Sequence, residues 1–211
     1  MSTSVPETRT PITVTAPSKK SWRVIDIIAL AVLGVAAGLV FWVYNGPGGA
    51  FYESISAVTP GFGGLAVGPW LFAGVLGGLV IRKPGAALLC EVIAASVSAG
   101  LGNQWGISTL YSGIAQGLGA EIILAVFLYH RFGPVVAALA GAGAGAGAWV
   151  LEGFLSGNFG KSTEFQVTYL ATLLVSGAVI AGICSWLLVR ALAATGALDR
   201  FAAGRERQRQ V

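Results

Sequence analysis

Charge is scarce in this chain. Asp, Glu, Lys and Arg together make up 10% of its 211 residues, against about 25% in a soluble globular domain. With hydrophobic residues at 55%, that shortage excludes a water-soluble globule. The 13 basic and 9 acidic residues leave a net charge of +4. The bases lie in short gaps between apolar runs rather than over one surface, so no nucleic acid is expected as a partner. Histidine is nearly missing: His130, beside Arg131, is the only one, which leaves His-based triads and multi-His metal sites without support. Cys90 and Cys184 are the only cysteines. Both fall inside apolar runs and read as small hydrophobes rather than a disulfide or a metal pair. No complete nucleotide-binding loop occurs. Gly157-Asn-Phe-Gly-Lys-Ser-Thr163 resembles the end of one, but Leu155 stands where its first glycine belongs and no strand precedes it. The chain is therefore not expected to be an enzyme, to hydrolyse ATP or to hold a metal or cofactor. No cleavable leader is expected, because the first 20 residues are polar and contain Pro, and the run after them is of spanning length.

What the chain has in abundance is apolar sequence. Runs at 24–44, 62–81, 84–101, 107–129, 134–155 and 167–192 each match the ~20 helical residues that cross a bilayer core of ~30 Å. They predict an all-α integral membrane protein of six transmembrane helices, broken at 45–49, 82–83, 102–106, 130–133 and 157–164 by Gly, Pro or charge. Nearly all the bases fall on one side of these helices, and only Lys161 falls on the other. By the positive-inside rule both termini are cytoplasmic, in a multi-pass protein of the plasma membrane. The expected organisation is a disordered cytoplasmic segment at 1–22, a six-helix membrane domain at 23–194 and a basic, solvated cytoplasmic tail at 195–211.

Glycine numbers 31, much of it inside the predicted spans, where small residues let helix backbones touch. Pairs four apart occur at Gly34/Gly38, Gly74/Gly78 and Gly113/Gly117, and 140–148 alternates Ala and Gly. Close internal packing explains most of them. On the first helix, Ala29, Gly34 and Gly38 form a stripe that suits the docking of another membrane subunit.

Three carboxylates, Glu91, Glu121 and Glu152, sit in apolar runs. A charge at bilayer depth costs roughly 3 kcal/mol on insertion scales, so such residues usually meet a partner, a cavity or a substrate. At 1.5 Å per residue, Glu91 and Glu121 lie at roughly 10 and 13 Å from the same edge, so the two could meet on neighbouring antiparallel helices. Asn103, Gln104 and Trp105 follow the third helix in a turn that reads either as an interface anchor or as a pocket rim. Gln116 reads as either interhelical glue or ligand contact. Trp70, and Trp149 one turn before Glu152, fit interface anchoring or an aromatic cage for a cationic heterocycle.

Two segments carry a resemblance. Arg82-Lys-Pro-Gly-Ala-Ala-Leu-Leu-Cys-Glu91 and Gly102-Asn-Gln-Trp-Gly-Ile-Ser-Thr-Leu-Tyr-Ser-Gly-Ile-Ala-Gln-Gly-Leu-Gly-Ala-Glu121 resemble the substrate-capture (S) components of energy-coupling factor (ECF) transporters, in particular the YkoE-like group. The resemblance covers roughly residues 24–192. It implies a six-helix S-component bundle that binds thiamine or its hydroxymethylpyrimidine precursor from outside. It further implies two kinds of partner, a transmembrane coupling subunit and two ABC-type ATPases that use the ATP. Glu91, Asn103, Gln104, Trp105, Gln116 and Glu121 are the site residues it implies, and Trp70, Trp149 and Glu152 join them from the cage reading. Gly34 and Gly38 would replace the Ala-x-x-x-Ala docking stripe of the family. The competing readings are a stand-alone proton-coupled carrier using Glu91 and Glu121, and an assembly subunit whose acids only pair between helices.

Overall fold

The computed structural model describes residues 21–208, which form helices and no strands. Helix α1 (Val24–Val58) is followed by two 3-10 turns, Phe62–Ala66 and Gly68–Trp70, then α2 (Phe72–Ile81), α3 (Ala86–Gly100), α4 (Ser108–Val126) and α5 (Pro134–Leu155). A 3-10 turn at Asn158–Gly160 leads into α6 (Thr163–Ser176). A π-helical stretch, Gly177–Cys184, carries α6 into α7 (Ser185–Ala194), and α8 (Ala202–Gln208) follows. Among the described residues, four helical stretches are long and apolar enough to cross a membrane: Val24–Val58, Ser108–Val126, Pro134–Leu155 and Thr163–Ala194. Helices α2 and α3 are apolar but have only 10 and 15 residues.

Two predicted boundaries move. The turn expected at 45–49 is absent, and α1 continues through Pro47 to Val58. At 35 residues it is ~52 Å long, well beyond a ~30 Å hydrocarbon core. Neighbours hold it together there: Asn45 is buried and bonded on both sides of its amide. The predicted span at 62–81, by contrast, is α-helical only from Phe72. Gly61, Gly63, Gly64, Gly68 and Pro69 favour turns, and Gly61 takes a φ of +91°. Helix α6 satisfies this irregular backbone. Ser176 Oγ accepts from Gly68 N at 2.9 Å and donates to Leu65 O at 2.8 Å, while Thr172 Oγ1 donates to Gly61 O at 2.8 Å. Non-helical backbone at membrane depth survives only where protein partners replace the missing water.

Helix α2 is apolar all round and central, with every residue from Ala73 to Ile81 buried. Helix α5 lies between α4 and the α6–π stretch, and its alternating glycines serve both neighbours. A Cβ on Gly143 would come 2.5 Å from Gly119 O of α4, and one on Gly145 would come 2.6 Å from Leu173 O of α6. These backbones touch directly, the packing that small residues permit in lipid.

The segment before α1 and the tail meet at one end. Trp22 Nε1 donates to Pro84 O at 3.2 Å, so residues 21–22 are packed rather than loose. Asp26 is buried and takes Arg23 Nη2 at 2.7 Å, together with the buried ammonium of Lys83. The expected solvated tail at 195–211 is instead docked over its described part. Leu198, Phe201 and Ala203 are buried, Arg23 reaches Arg200 O at 3.1 Å, and Arg82 pairs with Glu206. Residues 1–20 and 209–211, which complete the predicted segments, lie outside the described residues.

Candidate functional site

The late start of α2 creates the site. Because the helix begins part-way along its run, its first N–H groups lack intrahelical partners. Glu91 of α3 supplies one: Oε2 accepts from Gly74 N at 2.5 Å. A carboxylate at a helix N-terminus also meets the positive end of the macrodipole. The other oxygen, Oε1, is buried without a hydrogen-bond partner among the described residues, and Glu91 lines a cavity of about 250 Å³.

This cavity lies between α1, α3, α4, α5 and α6 at the end of the bundle opposite Trp22 and α8. Glu91 and Gln116 form its floor, and Trp105, Ser108 and Ser156 stand at its mouth. Gln116 is buried, yet its amide has no hydrogen-bond partner among the described residues. It sits two turns along α4 from Ser108 and faces the same space. The second acid, Glu152, accepts a hydrogen bond from the Tyr169 hydroxyl, which itself lies 3.5 Å from the Tyr52 hydroxyl. On the opposite wall, Trp70 Nε1 donates to Asn45 Oδ1 at 2.9 Å, and Asn45 Nδ2 donates to Ser98 Oγ at 3.0 Å. The Trp70 ring meets Trp105 edge-to-face with centroids 5.4 Å apart, and Tyr44 at 4.8 Å. Each ring is thereby fixed before a ligand arrives.

Among the described residues the wall carries two carboxylates and no Lys, Arg or His. It therefore favours positive charge. Its indoles and phenols offer aromatic faces to a desolvated cation, and its amides and hydroxyls can order a ring by hydrogen bonds.

Of the residues singled out in the sequence, the fold brings Glu91, Trp70, Trp105, Gln116 and Glu152 to this cavity. The others have different surroundings. Asn103 Oδ1 accepts from Trp105 N, Gly106 N and Thr109 Oγ1 at 2.8–3.1 Å, which shapes the loop that holds Trp105. Gln104 is exposed beside Gly49 of α1. Trp149 packs edge-on against Phe159, with centroids 5.0 Å apart.

Glu121 does not meet Glu91, so the carboxylate pair that their depths allow does not form. It caps α3 from the neighbouring helix, accepting from Gly85 N at 2.7 Å, Ala87 N at 2.9 Å and Leu88 N at 3.2 Å. Tyr129 donates a fourth hydrogen bond at 2.6 Å, from a left-handed backbone (φ +56°) that turns its ring back toward α4. The two acids do stand on neighbouring helices, but α3 begins at Ala86 and presents its free N–H groups to Glu121.

The docking stripe is corrected. A Cβ on Gly34 would lie 2.7 Å from Ile93, and one on Gly38 would lie 2.6 Å from Val97. Both glycines seat α1 on α3, and Ala29 is half-buried against the core, so the stripe is not an open surface. Sequence reading missed Asn45, Ser98 and Tyr169. Asn45 was hidden by the expected turn, whereas Tyr169 is a lone phenol in an apolar run and gave no signal.

Comparison with known proteins agrees with this architecture. Residues 25–147 match the family model described as "ABC-type cobalt transport system, permease component". The chain is 32% identical over 191 residues to the "Putative HMP/thiamine permease protein YkoE" of Bacillus subtilis (strain 168), covering 89% of this chain and 92% of that one. A solved structure described as the "Crystal structure of an S-component of ECF transporter" superposes with a TM-score of 0.84 at 32% identity, covering 90% of this chain and 95% of the other.

Proposed function

The chain belongs to the YkoE-like S components of ECF transporters, and from that premise we propose that it captures thiamine or its hydroxymethylpyrimidine precursor outside the cell. The single observation that carries this reading is that, among the described residues, Glu91 Oε1 is unpartnered on the floor of a cavity that holds a second acid and no base. Thiamine joins a cationic thiazolium to an aminopyrimidine. The thiazolium suits a carboxylate and indole faces, and the aminopyrimidine suits the free amide of Gln116 and the Glu91 oxygen. The YkoE relative, whose name contains HMP and thiamine, supports the same ligand class.

Transport then follows from the division of labour expected of an S component. The cavity faces outward, both termini and α8 lie in the cytoplasm, and six helical segments cross or enter the membrane. A separate transmembrane coupling subunit and two ABC-type ATPases supply the energy, which agrees with the lack of a complete nucleotide-binding loop in this sequence. Tryptophan fluorescence tests the capture step, because Trp70 and Trp105 both line the cavity. Thiamine or hydroxymethylpyrimidine is expected to change the emission saturably. In liposomes, uptake is expected only when the coupling subunit and ATPases are present; uptake driven by a pH gradient without them would reject the assignment.

A further inference from the structure

A second cavity, of about 690 Å³, opens at the opposite end of the bundle, where α2, α7 and α8 meet the start of α5. Its walls carry two guanidinium groups. Arg82 is held in place: Nε donates to Leu79 O at 3.1 Å, Cζ lies 4.6 Å from the Phe132 ring centroid, and the side chain is 14% exposed. Arg190 lies over the Trp186 ring at 4.8 Å and is exposed to the surroundings. Among the described residues one carboxylate answers them. Glu206 of α8 places Oε2 2.6 Å from Arg82 Nη1, but its own side chain is 53% exposed. Among the described residues Arg190 has no ion-pair partner.

An ion pair with so exposed a partner is worth only about 0–1 kcal/mol, so Glu206 is readily displaced. The cleft is thus one negative charge short, and its two planar donors match a phosphate, which guanidinium groups bind in bidentate fashion. Its position also matters. Trp186 is an aromatic residue typical of the membrane interface, and Leu187 beside it is 53% exposed on a face made for acyl chains. Basic pockets between transmembrane helices at this level suit anionic headgroups.

We propose that this cleft binds the phosphate headgroup of an anionic phospholipid, with Arg82 and Arg190 as its clamp. Glu206 occupies Arg82 when the lipid is absent and leaves it when the lipid binds. The C-terminal arm is thereby linked to the surrounding bilayer.

Native mass spectrometry of the full chain, released from detergent with equal amounts of phosphatidylglycerol and phosphatidylcholine, tests this. Phosphatidylglycerol is expected to be retained preferentially, and Arg190→Gln to lower that preference about fivefold. Glu206→Gln is expected to raise phosphatidylglycerol retention, a gain that misfolding cannot mimic. Equal retention of the two lipids would overturn the proposal, as would an Arg190→Gln or Glu206→Gln variant that behaves like the parent. Displacement of the lipid by inorganic phosphate as effectively as by short-chain phosphatidylglycerol would overturn the lipid assignment, because the site would then read phosphate alone.

Discussion

Glu91 and Gly74 are joined by a 2.5 Å hydrogen bond that uses one carboxylate oxygen and leaves the other without a partner among the described residues. One oxygen thus belongs to the fold and the other to the cavity. Substituting Gln keeps an acceptor for Gly74 N and removes the negative charge. Glu91→Gln is therefore expected to fold and to bind thiamine about 10–100-fold more weakly, the loss of a charge-assisted contact at a desolvated site. Fluorescence titration beside a thermal melt separates the two effects. Unchanged affinity would remove Glu91 from the site.

Trp105 stands at the mouth of the cavity, edge-on to Trp70, and is 42% exposed. Its truncation leaves no large hole in the core. Trp105→Ala is expected to weaken ligand binding roughly tenfold, as aromatic contacts to a bound cation are lost, while the melting temperature moves little. Calorimetry on the variant measures this.

Glu121 is expected to behave in the opposite way. Glu121→Ala leaves the N–H groups of Gly85, Ala87 and Leu88 and the Tyr129 hydroxyl without their shared acceptor. The loss of a helix cap with this many dependants is expected to cost about 2 kcal/mol, read as a lower melting temperature. Affinity per folded molecule is expected to stay within about twofold, because the residue does not reach the cavity.

Helix contact gives a fourth expectation. Gly143→Ala drives a methyl to 2.5 Å from Gly119 O, where only backbone can yield. Overpacking of this kind is expected to cost about 1–3 kcal/mol. Gly100→Ala is the internal comparison: a Cβ there meets nothing within 4 Å, and the change is expected to be neutral or to stabilise α3 by up to about 1 kcal/mol. Thermal melts of the two variants check the contrast.

How far the sequence was legible depended on whether a feature is local. Apolar run length located the helical stretches, and Pro134–Leu155 appears as α5 with the predicted bounds. The alternating glycines of 140–148 announced close packing, and α5 touches backbone on both sides. Hydropathy alone could not find the irregular start at 61–71, because turns rich in Gly, Leu and Val look as apolar as a helix. It also concealed Asn45, whose neighbours Gly46 and Pro47 signal a turn that tertiary contacts override. Glu91 and Glu121 looked alike as lone acids. Only the positions of two helix N-termini, Gly74 in α2 and Gly85 before α3, separate the acid with a spare oxygen from the acid with none.

Isothermal titration calorimetry of the purified chain alone, with thiamine and with hydroxymethylpyrimidine, tests the central claim most directly. The expected result is binding of one ligand per chain with a Kd of about 1 μM or tighter, corresponding to about −8 kcal/mol, without any partner subunit. The absence of saturable binding of both compounds by a folded chain would contradict it.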